Sequence, residues 1–176
     1  MPDPQPTDAH LVAAAQRDRR AFDALYRRYV TPVYRYVRAR VGTAQDADDV
    51  TAAVFVEALD GLNAYTEQGR FPAWLFTIAR RQVVAHMRRR RPDVGLEGAR
   101  RVTAVPGPQV EALDMVARGL AILDDVARDA VALRFFAGLP VLEVAHILGK
   151  GESATKMLLH RALKRMHREL AEGDDG

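Results

Sequence analysis

The segment PDVGLEGARRVTAVPGPQV, residues 92–110, constrains this chain more than any other. It holds three prolines and three glycines and shows no apolar repeat of helical or strand period. Proline lacks the amide donor a helix interior needs, and glycine gives up more backbone freedom on ordering than any other residue. A single uninterrupted helical bundle is therefore excluded. The segment reads as a linker, and at about 3.3 Å per residue it reaches roughly 60 Å when extended. The patterns on its two sides belong to two separate units, residues 1–91 and 111–176.

Both flanks are helical in pattern, and no strand-like alternation persists, so the predicted class is all-α. Asp8 is placed to cap a short first helix, AHLVAAAQ. A second helix over about 19–41 carries Phe22, Leu25, Tyr26, Tyr29, Val33, Val37 and Val41 on one face, with Pro32 inside it as an expected kink. A third begins at Thr43, which with Asp46 forms a Thr-x-x-Asp capping box. Asp46, Asp48 and Asp49 crowd its first turns, where the helix dipole favours acids. Val50, Val54 and Ala58 make one apolar row, and Phe55, Leu59 and Leu62 another. The fourth helix spans about 70–91.

Beyond the linker four more helices are predicted, over about 111–124, 127–137, 141–148 and 152–171. The last two flank Gly149–Gly151, with small Ala145 where they would cross, which is a helix-turn-helix candidate. In the final helix Leu159, Leu163, Met166 and Leu170 form the expected inward row. Ser153, Lys156, His160, Lys164 and His167 form the outward one.

The overall charge of +3 conceals a strong segregation. Residues 70–101 hold nine basic side chains against two acidic, and residues 149–170 six against two; the remaining segments are all net acidic. Two separated basic blocks point to two contacts with a polyanion. At 100° per residue, Leu75, Phe76, Ala79 and Val83 fall on one side of the fourth helix. Opposite, in a stripe about 80° wide, lie Arg70, Trp74, Thr77, Arg81, Ala85 and Arg88. The chain's one tryptophan thus stands among arginines, a combination suited to unstacked nucleic acid. The run Arg88, Arg89, Arg90, Arg91 repels itself, and a phosphate-rich partner would relieve that repulsion.

Other function classes lack support. No phosphate-binding glycine loop or H-E-x-x-H is present, the five histidines show no metal spacing, and no cofactor is implied. There are no cysteines, which excludes disulfides and thiolate chemistry. No run is apolar enough to span a membrane, and no signal-peptide pattern opens the chain, so a cytoplasmic location is expected.

Four stretches in order resemble the extracytoplasmic-function (ECF) sigma factors of bacterial RNA polymerase: FDALYRRYVTPVYRYVRARVG, DADDVTAAVFVEAL, GRFPAWLFTIARRQVVAHMRRRR and LRFFAGLPVLEVAHILGKGESATKMLLHRALKRM. The resemblance implies a sigma region 2 domain at 1–91 and a region 4 helix-turn-helix at 111–176. It implies that the protein is not an enzyme and that its partners are core RNA polymerase, promoter DNA and an anti-sigma factor. By position, Asp46, Asp48, Asp49, Phe55 and Val56 would meet the polymerase. Arg70, Trp74, Thr77, Arg80, Arg81, Gln82 and Arg88–Arg91 would meet the −10 element. Ser153, Lys156, Met157, His160, Arg161, Lys164 and Arg165 would meet the −35 element. The chain departs from the family pattern at Ala52 and Ala53, at Arg81 and Ala85, at Gly151, and at Met157 and Leu158. The alternatives of another class are a duplex-binding helix-turn-helix regulator that needs no polymerase, and a helical module that sequesters a regulator.

Overall fold

The computed structural model describes residues 6–90 and 116–172. The elements run α1 (Asp8–Arg17), a 3-10 turn (Arg19–Ala21), α2 (Phe22–Arg40), α3 (Ala44–Gly61), a second 3-10 turn (Leu62–Ala64) and α4 (Phe71–Arg89). Residues 116–121 are again helical. Then come α5 (Asp125–Val131), which continues into a π-helical turn (Ala132–Phe136), α6 (Val141–Leu148) and α7 (Glu152–Glu172). There is no strand among the described residues, in accord with the predicted all-α class. The predicted linker at 92–110, and Arg91 with it, lie outside the described residues.

Local chemistry sets the helix starts. The cap of α1 is Thr7, not Asp8: the Thr7 hydroxyl accepts from the His10 amide at 3.3 Å. Asp8 is the first helical residue, and its carboxylate is committed elsewhere. It accepts from Arg28 at 2.7 Å and from the Tyr29 hydroxyl at 2.5 Å, tying α1 to α2. Thr43 caps α3 as predicted, with the Asp46 amide donating to Thr43 Oγ1 at 3.1 Å; the Asp46 carboxylate answers by accepting from the Thr43 hydroxyl at 2.8 Å, rather than from the Thr43 amide as a full capping box would. α2 runs as one helix on either side of Pro32.

The apolar periodicities predicted for α2, α3 and α4 become the core. Val33, Val37, Val54, Ala58, Leu75, Phe76, Ala79 and Val83 have no exposed surface. Each fully buried Val, Leu or Phe contributes about 1.5–3 kcal/mol relative to exposure. Tyr26 departs from the pattern at 42% exposure, with its ring against Phe55 at 4.8 Å. In α7 the inward row is rotated from the predicted one. Thr155, Leu159 and Ala162 are buried and Met166 half-buried, whereas Leu163 is exposed. Residues 155, 159, 162 and 166 lie on the stripe that meets α5 and α6, and Leu163 sits about 70° from its centre.

α6 ends at Gly149, whose φ of +62° and ψ of 34° form a left-handed cap. Lys150 N donates to Ala145 O at 2.9 Å across it. That turn aims α7 across α6 as a helix-turn-helix requires, and the buried Thr155 hydroxyl donates back to Gly151 O at 3.0 Å.

The helices before and after the gap also pack on one another: α2 lies against the π-helical turn, and α4 against α6. The apolar core is continuous across this seam.

Candidate nucleic-acid interface

α4 carries the densest group of predicted contacts. It starts at Phe71 with Pro72 in its first turn, where a missing amide donor costs nothing. Leu75, Phe76, Ala79 and Val83 anchor it, which turns Thr77, Arg81 and Arg88 to solvent.

Trp74 sits at the edge of the core and is half-buried rather than free among the arginines. Its ring lies 4.8 Å from that of Tyr65 and 5.6 Å from that of Phe71. Tyr65 and Trp74 border a cavity of about 420 Å³ that Glu57, Asp60, Thr77 and Arg81 also line. The cavity combines a stacking wall, two acids and a cation. Tyr65 was not predicted; it lies in the connection between α3 and α4, where helical periodicity gives no signal.

The basic side chains of α4 differ in how they are held. Arg81 is ion-paired with Glu57 of α3, whose other carboxylate oxygen accepts from Gln82 Nε2 at 2.6 Å. Arg80 Nε lies 2.7 Å from Asp129 Oδ2 of α5. Arg90 pairs with the buried Asp46 at 2.8 Å, and His86 stands 3.5 Å from the same carboxylate. Arg88 and Arg89 are exposed. At the other end Arg70 Nη1 meets His146 Nδ1 of α6 at 3.1 Å. His146 is exposed there.

The five residues predicted on α3 divide in two. Asp48, Asp49 and Val56 are exposed, Val56 at 62%. Asp46 is buried under the end of α4. Phe55 is buried too, edge-on to Phe22 at 6.4 Å. Beside the exposed three runs a groove of about 340 Å³ between α2 and α3, lined by Tyr26, Val30, Tyr34, Asp48, Thr51 and Ala52.

On α7 the predicted surface is open. Ser153, Lys156, Met157, His160, Arg161, Lys164 and Arg165 are all exposed. Lys156 shares its charge with Glu152 one turn earlier, at 2.6 Å.

Sequence reasoning missed the acid at the centre of the seam. Asp129 is buried, and it accepts from Tyr36 at 2.9 Å and pairs with Arg40 at 2.8 Å as well as with Arg80. Tyr36 and Arg40 are themselves buried, four residues apart on the apolar face of α2. Burial raises the Tyr36 pKa well above the usual tyrosine value, and the Asp129 charge adds to that shift. Among the described residues no group of three or more acids and histidines is placed to hold a metal ion, and no helix is long and apolar enough to cross a membrane.

Residues 25–92 match the family described as sigma-70 region 2, and residues 119–168 the one described as sigma-70, region 4. The chain is 38% identical over 160 residues to the ECF RNA polymerase sigma factor BldN of Streptomyces coelicolor, across 85% of this chain and 60% of BldN. It thus spans less than two thirds of that relative. It is 33% identical over 181 residues to the ECF RNA polymerase sigma factor SigD of Mycobacterium tuberculosis, across 96% of this chain and 85% of SigD. Among solved structures, CnrH in complex with the cytosolic domain of CnrY is similar with a TM-score of 0.76 and 26% identity, over 92% of this chain and 96% of CnrH.

Proposed function

The chain belongs to the ECF sigma factors of bacterial RNA polymerase, and from that premise we propose that it directs promoter-specific initiation by binding core polymerase and reading two promoter elements. Sigma factors are initiation factors rather than enzymes, and the reading assigns no bond-breaking step to this chain. The observation that carries it is the surface of α4, where an aromatic-walled cavity at Tyr65 and Trp74 adjoins a cation at Arg81.

In this reading an unstacked base of the −10 element stacks against Trp74. An extruded base exposes edges that paired bases hide, so capturing it supplies specificity. Thr77, Arg80, Arg81 and Gln82 line the approach, and Arg70 with Arg88–Arg91 holds the flanking phosphates. On α7 the N-terminal side chains Ser153, Lys156, Met157 and His160 enter the major groove at −35. Arg161, Lys164 and Arg165 hold the backbone there. Asp48, Asp49 and Val56, beside the α2–α3 groove, meet the polymerase. Asp46 and Phe55 act behind them, one by fixing the end of α4 and the other by packing α3 on α2.

An anti-sigma factor is the proposed regulator, and the cytoplasm, where polymerase and DNA reside, the proposed site of action. CnrH, similar in fold and sequence, was solved bound to the cytosolic domain of CnrY. The test is reconstitution of the purified chain with sigma-free core polymerase and genomic promoter fragments, followed by transcript sequencing. Start sites sharing −35 and −10 elements are expected. Absence of core binding and of initiation overturns the proposal.

A further inference from the structure

We propose that Asp129 is an internal latch: it holds the C-terminal helices against one edge of the proposed −10 surface, at Arg80, and DNA must take Arg80 from it. The inference rests on the reading of α4 as a DNA-binding surface.

Asp129 lies on α5, yet its side-chain hydrogen bonds and ion pairs among the described residues all come from α2 and α4. They are the Tyr36 hydroxyl at 2.9 Å, Arg40 Nε at 2.8 Å and Arg80 Nε at 2.7 Å. The Asp129 side chain is 2% exposed and that of Arg40 1%. A buried carboxylate is tolerated only where partners replace its water, and here those partners arrive only when the two sets of helices close. The burial is also mutual. Arg40 has a single further acid in reach, the exposed Asp125, at 3.7 Å. Its Nε and Nη1 make no hydrogen bond of acceptable angle.

Within its apolar contact the seam carries a buried charged cluster, and that cluster lowers the cost of release. On opening, Asp129, Arg40 and Arg80 all regain hydration, which offsets the ion pairs they lose. An all-apolar seam of the same shape would have no such compensation.

Closure and DNA binding compete for the same atoms. Arg80 has its Nε committed to Asp129. Ile147 of α6 lines one cavity of about 300 Å³ together with Thr77, Arg80, Arg81 and Arg88. His146 meets Arg70 at the start of the stripe. The C-terminal helices therefore touch the proposed −10 surface at its beginning and along its middle. The Asp129 carboxylate engages the Arg80 guanidinium that DNA would otherwise meet on that approach.

The native chain has no cysteine, so Ala24→Cys and Arg168→Cys give a donor–acceptor pair that reports closure by energy transfer. The probe is a fluorescent single-stranded oligonucleotide of mixed sequence. The free chain is expected to show high transfer, and oligonucleotide titration is expected to lower it. Asp129→Asn should lower transfer without DNA and tighten oligonucleotide binding about tenfold, the gain expected when a closed fraction of about 90% is released. Asp23→Asn removes the same charge from an exposed position outside the seam and should move affinity less than twofold. A low-transfer native chain, or an Asp129→Asn gain no larger than that of Asp23→Asn, overturns the latch. If Asp129→Asn fails to fold, the native titration decides: transfer unchanged by saturating oligonucleotide overturns the proposal equally. Either failure with core-dependent transcription intact removes the latch alone, whereas loss of core-dependent transcription removes the sigma-factor reading.

Discussion

Glu57 of α3 accepts a hydrogen bond from Gln82 of α4 at 2.6 Å while its second carboxylate oxygen pairs with Arg81. One acid thus fixes two neighbouring side chains at the position where the chain carries Arg81 in place of the residue common in its family. Glu57→Ala is predicted to free both. The pair is largely solvated, so stability should fall by no more than about 1 kcal/mol. A correctly oriented base contact discriminates by about 1–3 kcal/mol, so the −10 preference measured on a randomised promoter pool should flatten by up to tenfold or more at one position. An unaltered preference would show that neither side chain reads a base.

Trp74→Ala is predicted to remove the stacking wall. Base–aromatic stacking is worth about 1–3 kcal/mol per base, so open-complex formation by the reconstituted holoenzyme should drop by about 5- to 150-fold. Binding of a −35 duplex should stay within about twofold, because α7 is untouched. Trp74→Phe, which keeps a ring beside Tyr65 and Phe71, should recover most of the loss. Permanganate reactivity of unpaired thymines measures the opened DNA. Equal reactivity in all three proteins would exclude Trp74 from strand capture.

Tyr29 and Tyr36 both have pKa values raised above the ordinary 10.0, chiefly by burial and further by Asp8 and Asp129 respectively. A tyrosine whose folded pKa exceeds its unfolded one contributes stability that is fully present below the unfolded value. That stability is lost as pH rises past about 10 toward the folded value. Urea midpoints on that account should decline above about pH 10. Tyr36→Phe should cost about 1–3 kcal/mol at pH 8, as expected for a hydroxyl donating to a buried charge, and should make the alkaline decline shallower. A Tyr36→Phe protein whose decline is as steep as the native one would refute the assignment.

Lys156→Ala and Arg161→Ala should weaken −35 binding unequally. Lys156 already shares its charge with Glu152 at 2.6 Å, whereas Arg161 is exposed and pairs with no acid among the described residues. Each phosphate contact contributes about 0.9 to the slope of log K against log salt. Arg161→Ala should therefore reduce the slope by nearly that amount and Lys156→Ala by less. Equal reductions would mean that DNA separates Lys156 from Glu152 completely.

The parts of the fold governed by local repetition were legible in the sequence. The apolar rows of α2 and α4, the Thr43 cap and the glycine turn at 149 follow from spacing within a few residues. What periodicity cannot say is where a charged residue turns when its partner lies far along the chain. Asp46 read as an acid suited to a helix start, and it is one, yet it is buried because Arg90 and His86 come to it from the end of α4. Tyr36 and Arg40 continue the apolar row of α2, but their polar partner cannot be read from that spacing, because the element that supplies it begins beyond residue 120. Asp129 offered a faint signal as a lone acid among Ala127, Ala130, Val131 and Leu133, all buried. An acid on the dry side of a helix marks a partner still to be found. The wheel placed Trp74 opposite the core, and it missed the edge that Tyr65 builds beside it.

The contact between Arg80 and Asp129 joins two parts of one polypeptide, and an intramolecular encounter does not dilute. Raising or lowering the amount of this protein leaves the fraction of closed molecules unchanged. Its rivals, DNA and any protein that grips either set of helices, must each arrive at their own concentration. The balance between the shut and the working molecule is then set by the abundance of what competes with the seam, so a cell can make more of this chain without making a larger share of it active.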